Sequence, residues 1–231
     1  MRRYLTTRQD PLTAAVLVFP LFMIYQVGIL LGARGHNGVD FASRMLMELC
    51  QRDLSLYVKL LLVMTVCYGI VIALLRRSRT FEPRDFLPVL LESSCYALAM
   101  GSLILLVIRN FLDFVPGLVI RATSPGEVLV ISAGAGFHEE LFFRALLMAG
   151  LAKLLAIPLG RRRAWLTALA VSSLLFSLVH HLGPGAEPFG LMAFSYRALA
   201  GVYFGVIYQV RGFAAAAWTH TLYDVYVLSF A

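Results

Sequence analysis

Midway along the chain, inside an apolar stretch, runs His138-Glu139-Glu140-Leu141-Phe142-Phe143-Arg144. Two adjacent carboxylates, a histidine and an arginine stand together where the neighbouring residues suit lipid. An ionisable side chain at bilayer depth costs at least ~2.5–3.5 kcal/mol on the insertion scale, so the cluster needs a compensating use. Further polar groups follow at helical spacing, in Phe176-x-x-x-His180 and His220-x-x-x-Asp224. These residue types suit water activation. A carboxylate and a histidine can share the task of taking a proton from water. A second histidine with a hydrogen-bonding neighbour can donate to the oxyanion of a tetrahedral intermediate. Ser177 precedes His180, yet no G-x-S-x-G elbow or S-x-x-K motif marks it as a nucleophile.

The spacing divides the cluster. Glu140 and Arg144 are four apart, share a helix face and can pair, which neutralises two charges that lipid cannot solvate. Glu139 points ~100° away from Glu140 on a 3.6-residue helix and is free to face a cavity. His220 and Asp224 share a face and can hydrogen-bond along their helix. One segment thus offers a carboxylate, the next a histidine, and the last a histidine with an acidic partner.

The elements that must position these groups are membrane helices. The chain of 231 residues is 60% hydrophobic and 14% charged, against about 45–50% and about 25% for soluble domains. Seven candidate spans lie at about 12–33, 54–75, 86–108, 126–150, 164–182, 191–210 and 213–230, each long enough to cross ~30 Å of hydrocarbon at 1.5 Å per residue. The expected fold is an all-α, polytopic bundle of about seven transmembrane helices. It forms a single integral-membrane domain over 1–231, with the motif-bearing helices at 125–231. Only helices suit such spans, because every backbone N–H must find its partner within the segment. Segments 39–52 and 110–121 could add interfacial helices. The first apolar run, Leu12 to Ala33, exceeds the ~7–15 residues of a signal-peptide core and reads as a retained helix.

The net charge of +7 does not indicate nucleic acid, because no basic domain stands outside the apolar runs. The arginines instead flank spans, as in Arg76-Arg77-Ser78-Arg79 and Arg161-Arg162-Arg163, which marks cytoplasmic loops. This places the N-terminus in the cytoplasm and the C-terminus outside. Cys50, Cys67 and Cys95 have neither zinc nor disulfide spacing and read as buried small side chains.

The three motifs in order, Glu139-Glu140-x-x-x-Arg144, Phe176-x-x-x-His180 and His220-x-x-x-Asp224, resemble the CPBP family of CAAX proteases and bacteriocin-processing enzymes, the glutamic intramembrane or type II CAAX prenyl endopeptidases. The resemblance covers Glu139 to Asp224. It implies an intramembrane endopeptidase that needs no metal or other cofactor. Glu139 and His180 would activate the attacking water, His220 and position 224 would form the oxyanion site, and Glu140 with Arg144 would support the motif helix. Position 224 is Asp, where well-studied members have Asn. An ionised Asp cannot donate to an oxyanion, so Asp224 either carries a proton or orients His220, as the acid does in a Ser-His-Asp triad; the orienting role is the reading preferred.

Supporting candidates are His138 and His181, each beside a motif residue, Phe176 within its motif, and Arg197, which could anchor a substrate carboxylate. Gly134 and Gly136 would permit close helix contact, as would the Gly201/Gly205 pair. Competing readings use the same groups. Glu139, His180 and His220 would make a His₂Glu zinc set, although no His-Glu-x-x-His motif is present. A transporter would show paired inverted repeats, and none is found. A non-catalytic immunity-type protein would not need all three motifs intact. The compact size, short loops and arginine topology suggest a bacterial inner membrane. The expected partners are the bilayer and a membrane-anchored peptide or protein tail trimmed near its C-terminus.

Overall fold

A computed structural model describes residues 8–31, 53–76, 86–112, 124–182 and 188–230. Among them are seven helices: α1 (Pro11–Leu30), α2 (Leu54–Arg76), α3 (Phe86–Leu112), α4 (Pro125–Leu159), α5 (Arg161–Val179), α6 (Leu191–Arg211) and α7 (Phe213–Phe230). The first six are long and apolar enough to cross a membrane. Helix α7 coincides with the seventh expected span, but its histidine, aspartate and threonines lower its hydropathy below that of the others. The protein is a multi-pass membrane protein with an all-helical bundle fold. The expected spans lie close to the observed helices, with one exception: α4 continues past residue 150 to Leu159. The segments expected to lie at the interface fall outside the described residues, apart from 110–112, which complete α3.

Local chemistry sets the helix ends. Asp10 caps α1, its Oδ1 accepting from the backbone N–H of Leu12 at 3.0 Å and Thr13 at 3.3 Å, with Pro11 at the first helical position. Ser124 and Glu127 form a reciprocal capping box at the start of α4, again with a proline first. The α4–α5 and α6–α7 junctions turn at Gly160 (φ 74°) and Gly212 (φ 104°), a backbone region that residues with a Cβ rarely occupy.

Helix α7 is the centre of the bundle. It packs against α1, α3, α4 and α6, and Ala214, Ala215, Ala216 and Ala217 are wholly buried. Lipid tails are as apolar as leucine, so burial of apolar area does not drive helices together in a membrane; small residues that allow close approach do. The polar α7 therefore sits inside while leucine-rich α2 packs mainly on α1 and exposes Leu62, Val63, Val66 and Ile70. Two cross-helix bonds hold α2, from Tyr57 Oη to Gln26 Oε1 at 2.7 Å and from Tyr68 Oη to the Ala15 carbonyl at 2.7 Å. Cys67 and Cys95 are exposed on the helix surfaces, not buried as expected, because they share faces with the lipid-facing residues of α2 and α3. Cys50 lies outside the described residues.

Candidate active site

The site begins with an irregularity in α4. From Ala135 to Met148 the helix widens to a π-helical winding, a geometry frequent at functional sites. It carries Glu139, Glu140 and Arg144 together. Gly136 brings this stretch against α7, because a Cβ there would collide with the Thr221 hydroxyl and the Ala217 carbonyl. Gly134 likewise admits the ring of Tyr25, and Gly201 and Gly205 admit Ser173 and Leu169 of α5. The glycines read as packing positions are packing positions.

Close to that contact, three helices converge. Glu139 Oε2 lies 3.8 Å from His180 Nε2 and 3.9 Å from His220 Nε2. Both separations exceed direct hydrogen-bond length. His220 is fixed from its other nitrogen: Nδ1 pairs with Glu140 Oε1 at 2.8 Å. Glu140 Oε2 in turn meets Arg144 Nε at 3.1 Å, and Arg144 Nη2 donates to the Gly201 carbonyl at 3.3 Å. Glu140 therefore bridges the arginine of its own helix and the histidine of α7. His180 Nδ1 donates to the Phe176 carbonyl at 2.8 Å, leaving Nε2 toward Glu139.

Asp224 lies against His220, the neighbour its spacing implies. Its Oδ2 lies 3.5 Å from His220 Nε2, the nitrogen that faces Glu139. The contact that orients the imidazole through Nδ1 belongs to Glu140. The i, i+4 spacing correctly brings Asp224 to His220, but helix periodicity cannot say which nitrogen it meets.

Aromatic rings wall the site. Phe204 stacks on His220 with centroids 4.4 Å apart and planes at 15°. Phe176 contacts both histidine rings edge-on, at 5.1 Å for His180 and 5.9 Å for His220. The Arg144 guanidinium lies 4.4 Å from the Phe176 centroid, a cation–π contact that compensates its burial. Ser172 Oγ donates to the Phe143 carbonyl at 2.7 Å and Ser177 Oγ to the Phe194 carbonyl at 2.7 Å. Both hydroxyls act as inter-helix ties.

The remaining candidates surround this core. His138 Nδ1 donates to the Gly134 carbonyl at 3.0 Å, and its ring packs on Tyr25. His181 packs against Phe189 and Phe194. Arg197 acts electrostatically on Asp224, and the Tyr196 and Tyr223 hydroxyls join α6 to α7 next to that pair. Glu139 and His220 side chains are 6% exposed, whereas His180 and Asp224 keep 27% and 24%. Access to the buried carboxylate is thus from the side of His180 and Asp224.

Residues 121–226 match the family model described as Rce1-like, type II CAAX prenyl endopeptidase Rce1-like. The match agrees with the resemblance of the three motifs to the CPBP family. No curated protein and no solved structure matches the chain. The matched region spans every residue of the cluster, from Glu139 to Asp224, and omits α1 to α3. Those helices contribute walls: Met100 and Ile104 of α3 pack with Phe143, Phe176 and Phe204.

Phe204 and the Gly201 carbonyl are contributors that reading the sequence did not single out as part of the site. The Gly201/Gly205 spacing was the available signal, since it marks the stretch of α6 that approaches its neighbours most closely. Among the described residues, no group of three His, Cys, Asp or Glu side chains is arranged to hold a metal ion. The Glu139, His180 and His220 set is one that a zinc reading would use, and a chelator separates the two readings.

Proposed function

We propose that this protein is an intramembrane endopeptidase that hydrolyses a peptide bond in a membrane-associated substrate with water activated by Glu139 and His180. The observation that carries this reading is the approach of one buried carboxylate oxygen to two imidazole Nε2 atoms supplied by two other helices. Glu139 accepts a proton from water as the water oxygen attacks the scissile carbonyl carbon. His180, held through Nδ1, steers that water with Nε2. The carbonyl oxygen becomes an oxyanion, stabilised from the His220 side. With Nδ1–H donated to Glu140, His220 offers an Nε2–H only as an imidazolium. Asp224, beside the same nitrogen, holds that proton until the oxyanion takes the contact. Collapse of the tetrahedral intermediate breaks the C–N bond, and the proton on Glu139 passes to the leaving amine.

The family resemblance supports the reaction class. The substrate proposed is a peptide or the anchored C-terminal tail of an exported protein, reaching a bacterial inner-membrane enzyme whose N-terminus is cytoplasmic. The short loops and arginine distribution support that setting, as does the burial of the cluster away from bulk water.

His180→Ala is expected to slow processing by roughly 10²-fold or more with protein abundance unchanged, and excess chelator is expected to leave the wild-type rate unaltered. Full activity in His180→Ala overturns the water-activation role. Loss of activity in chelator, restored by zinc, transfers the reading to a metalloprotease.

A further inference from the structure

The two ends of the bundle are unlike. Helix α5 is 19 residues long, ~28 Å of helix at 1.5 Å per residue. Arg161, Arg162 and Arg163 are exposed at one end of it, and His180 is the C-cap residue at the other. The α6–α7 turn at Arg211 and Gly212 lies toward the arginine end. So does the start of α1, where the Gln9 N–H is tied to the Arg211 carbonyl at 2.9 Å. Toward this end the helices close on one another. Gly201 and Gly205 of α6 admit Ser173 and Leu169 of α5, and Ala214 to Ala217 of α7 are wholly buried.

Toward the His180 end the walls part. Helix α5 stops at the level of the site, whereas α4 carries Pro125–Gly134 beyond its π-helical stretch, ~15 Å of further helix. Every residue of α6 from Leu191 to Leu199 keeps some exposure, and so does every residue of α7 from Leu222 to Ser229. A helix pressed into a closed core buries one face turn after turn; these two segments bury none. Asp224 lies on one of them, and His180 stands at the end of the shortened wall. They are the members of the cluster that keep most exposure, at 24% and 27%. The cluster is thus reached past the end of α5.

Charge assigns the two ends to the two sides of the membrane. Arg76, Arg77, Arg79 and Arg84 join α2 to α3, at the same end as Arg161 to Arg163 and Arg211. The α5–α6 connection at the other end, residues 181–190, holds Glu187 and no lysine or arginine. Short connections rich in arginine are cytoplasmic. We infer that the active site opens to the outer face of the membrane, takes an anchored tail from its exported side and cuts within the outer half of the anchor. The products are an exported domain freed of its anchor and an apolar stub left in the bilayer. A tail presented from the cytoplasm, a prenylated C-terminus included, meets the closed end. The substrate in this inference rests on the endopeptidase reading; the direction of opening does not.

The test is labelling of the full-length protein in the bacteria that express it, with Cys50, Cys67 and Cys95 replaced by alanine. Single cysteines are introduced as Leu182→Cys, Asp224→Cys or Arg162→Cys; Leu182 and Arg162 are exposed at opposite ends. A membrane-impermeant maleimide is applied to intact or lysed spheroplasts. Leu182→Cys and Asp224→Cys are expected to label in intact spheroplasts, and Arg162→Cys only after lysis. Arg162→Cys labelling in intact spheroplasts, with Leu182→Cys silent, reverses the topology and overturns the inference. Asp224→Cys that labels only after lysis, or not at all, overturns the outward opening. Labelling needs no cleavage, so these results leave the reaction standing, whereas unchanged processing in Glu139→Gln sinks the reaction and leaves the labels as they are. For a precursor that accumulates in Glu139→Gln, mass spectrometry of the mature form should place its new C-terminus in the half of the anchor next to the exported domain. A terminus in the cytoplasmic half overturns the inference.

Discussion

Among the described residues, two carboxylate–arginine pairs hold a buried guanidinium, and they are built differently. Between α3 and α6, Glu92 takes Arg211 with both oxygens, at 2.6 and 2.8 Å, and Tyr96 Oη adds a bond of 2.7 Å to Glu92 Oε1. That pair is bidentate and joins two helices. In α4, Glu140 gives one oxygen to Arg144 and the other to His220 Nδ1. That pair is open, and its second oxygen fixes a ring that faces Glu139. The difference teaches how a membrane protein can use one costly chemistry for two ends. A bidentate pair satisfies its own charges and works as a clamp, whereas a divided pair passes orientation on to a third group.

The sharpest break of this comparison replaces each pair wholly. Removing both partners of a buried pair is often neutral, because no lone charge is left behind. Glu92→Leu with Arg211→Leu should therefore leave processing within a few-fold of wild type. Glu140→Leu with Arg144→Leu should fold comparably yet lose roughly 10²-fold or more in rate, because His220 loses the partner on Nδ1. Equal losses in the two double variants, measured by precursor turnover in isolated membranes, would erase the distinction.

Single replacements come next. Glu140→Gln leaves Arg144 without its charge partner in a buried site and should cost about 3–5 kcal/mol. It should appear as lowered abundance and a lowered melting temperature in detergent. Glu92→Gln should behave alike, since stability depends on the buried arginine in both places. An abundant but inactive Glu140→Gln protein would contradict the supporting role and move Glu140 into the chemistry.

The smallest effect concerns the ring on which His220 rests. Phe204→Leu keeps an apolar side chain but loses the stacked contact, worth about 0.5–1.5 kcal/mol. Activity should fall by a few-fold to about tenfold, with stability lowered by no more than that energy. A loss as large as that of the Glu140/Arg144 double variant would mean that Phe204, not Glu140, sets the ring.

The positions of the helices were legible in the sequence because spanning hydrocarbon imposes both length and hydropathy. The i, i+4 pairs were legible too, since Glu140–Arg144 and His220–Asp224 are neighbours on one helix. Contacts between helices were not. The Glu140–His220 bond joins residues 80 apart and Glu92–Arg211 joins residues 119 apart, and periodicity states which residues share a face but not which faces meet. Asp224 shows the limit clearly, because its spacing identifies His220 as its neighbour but not which ring nitrogen it meets. The widened winding of α4 was also illegible, since nothing in its residue types departs from an ordinary helix. Cys67 and Cys95 mark the reverse error: a residue type that is usually interior in water-soluble proteins lies outward here, where the surrounding medium is itself apolar.

In the proposed reaction Glu139 activates water, distinct from the supporting carboxylate beside it. The direct test compares membrane and secreted proteomes from cells carrying wild-type protein or Glu139→Gln at matched abundance. The account predicts that an uncleaved precursor accumulates with the variant, its processing slowed by roughly 10²–10⁴-fold. Unchanged processing of every membrane-associated and exported protein, with the variant stably folded, would contradict it.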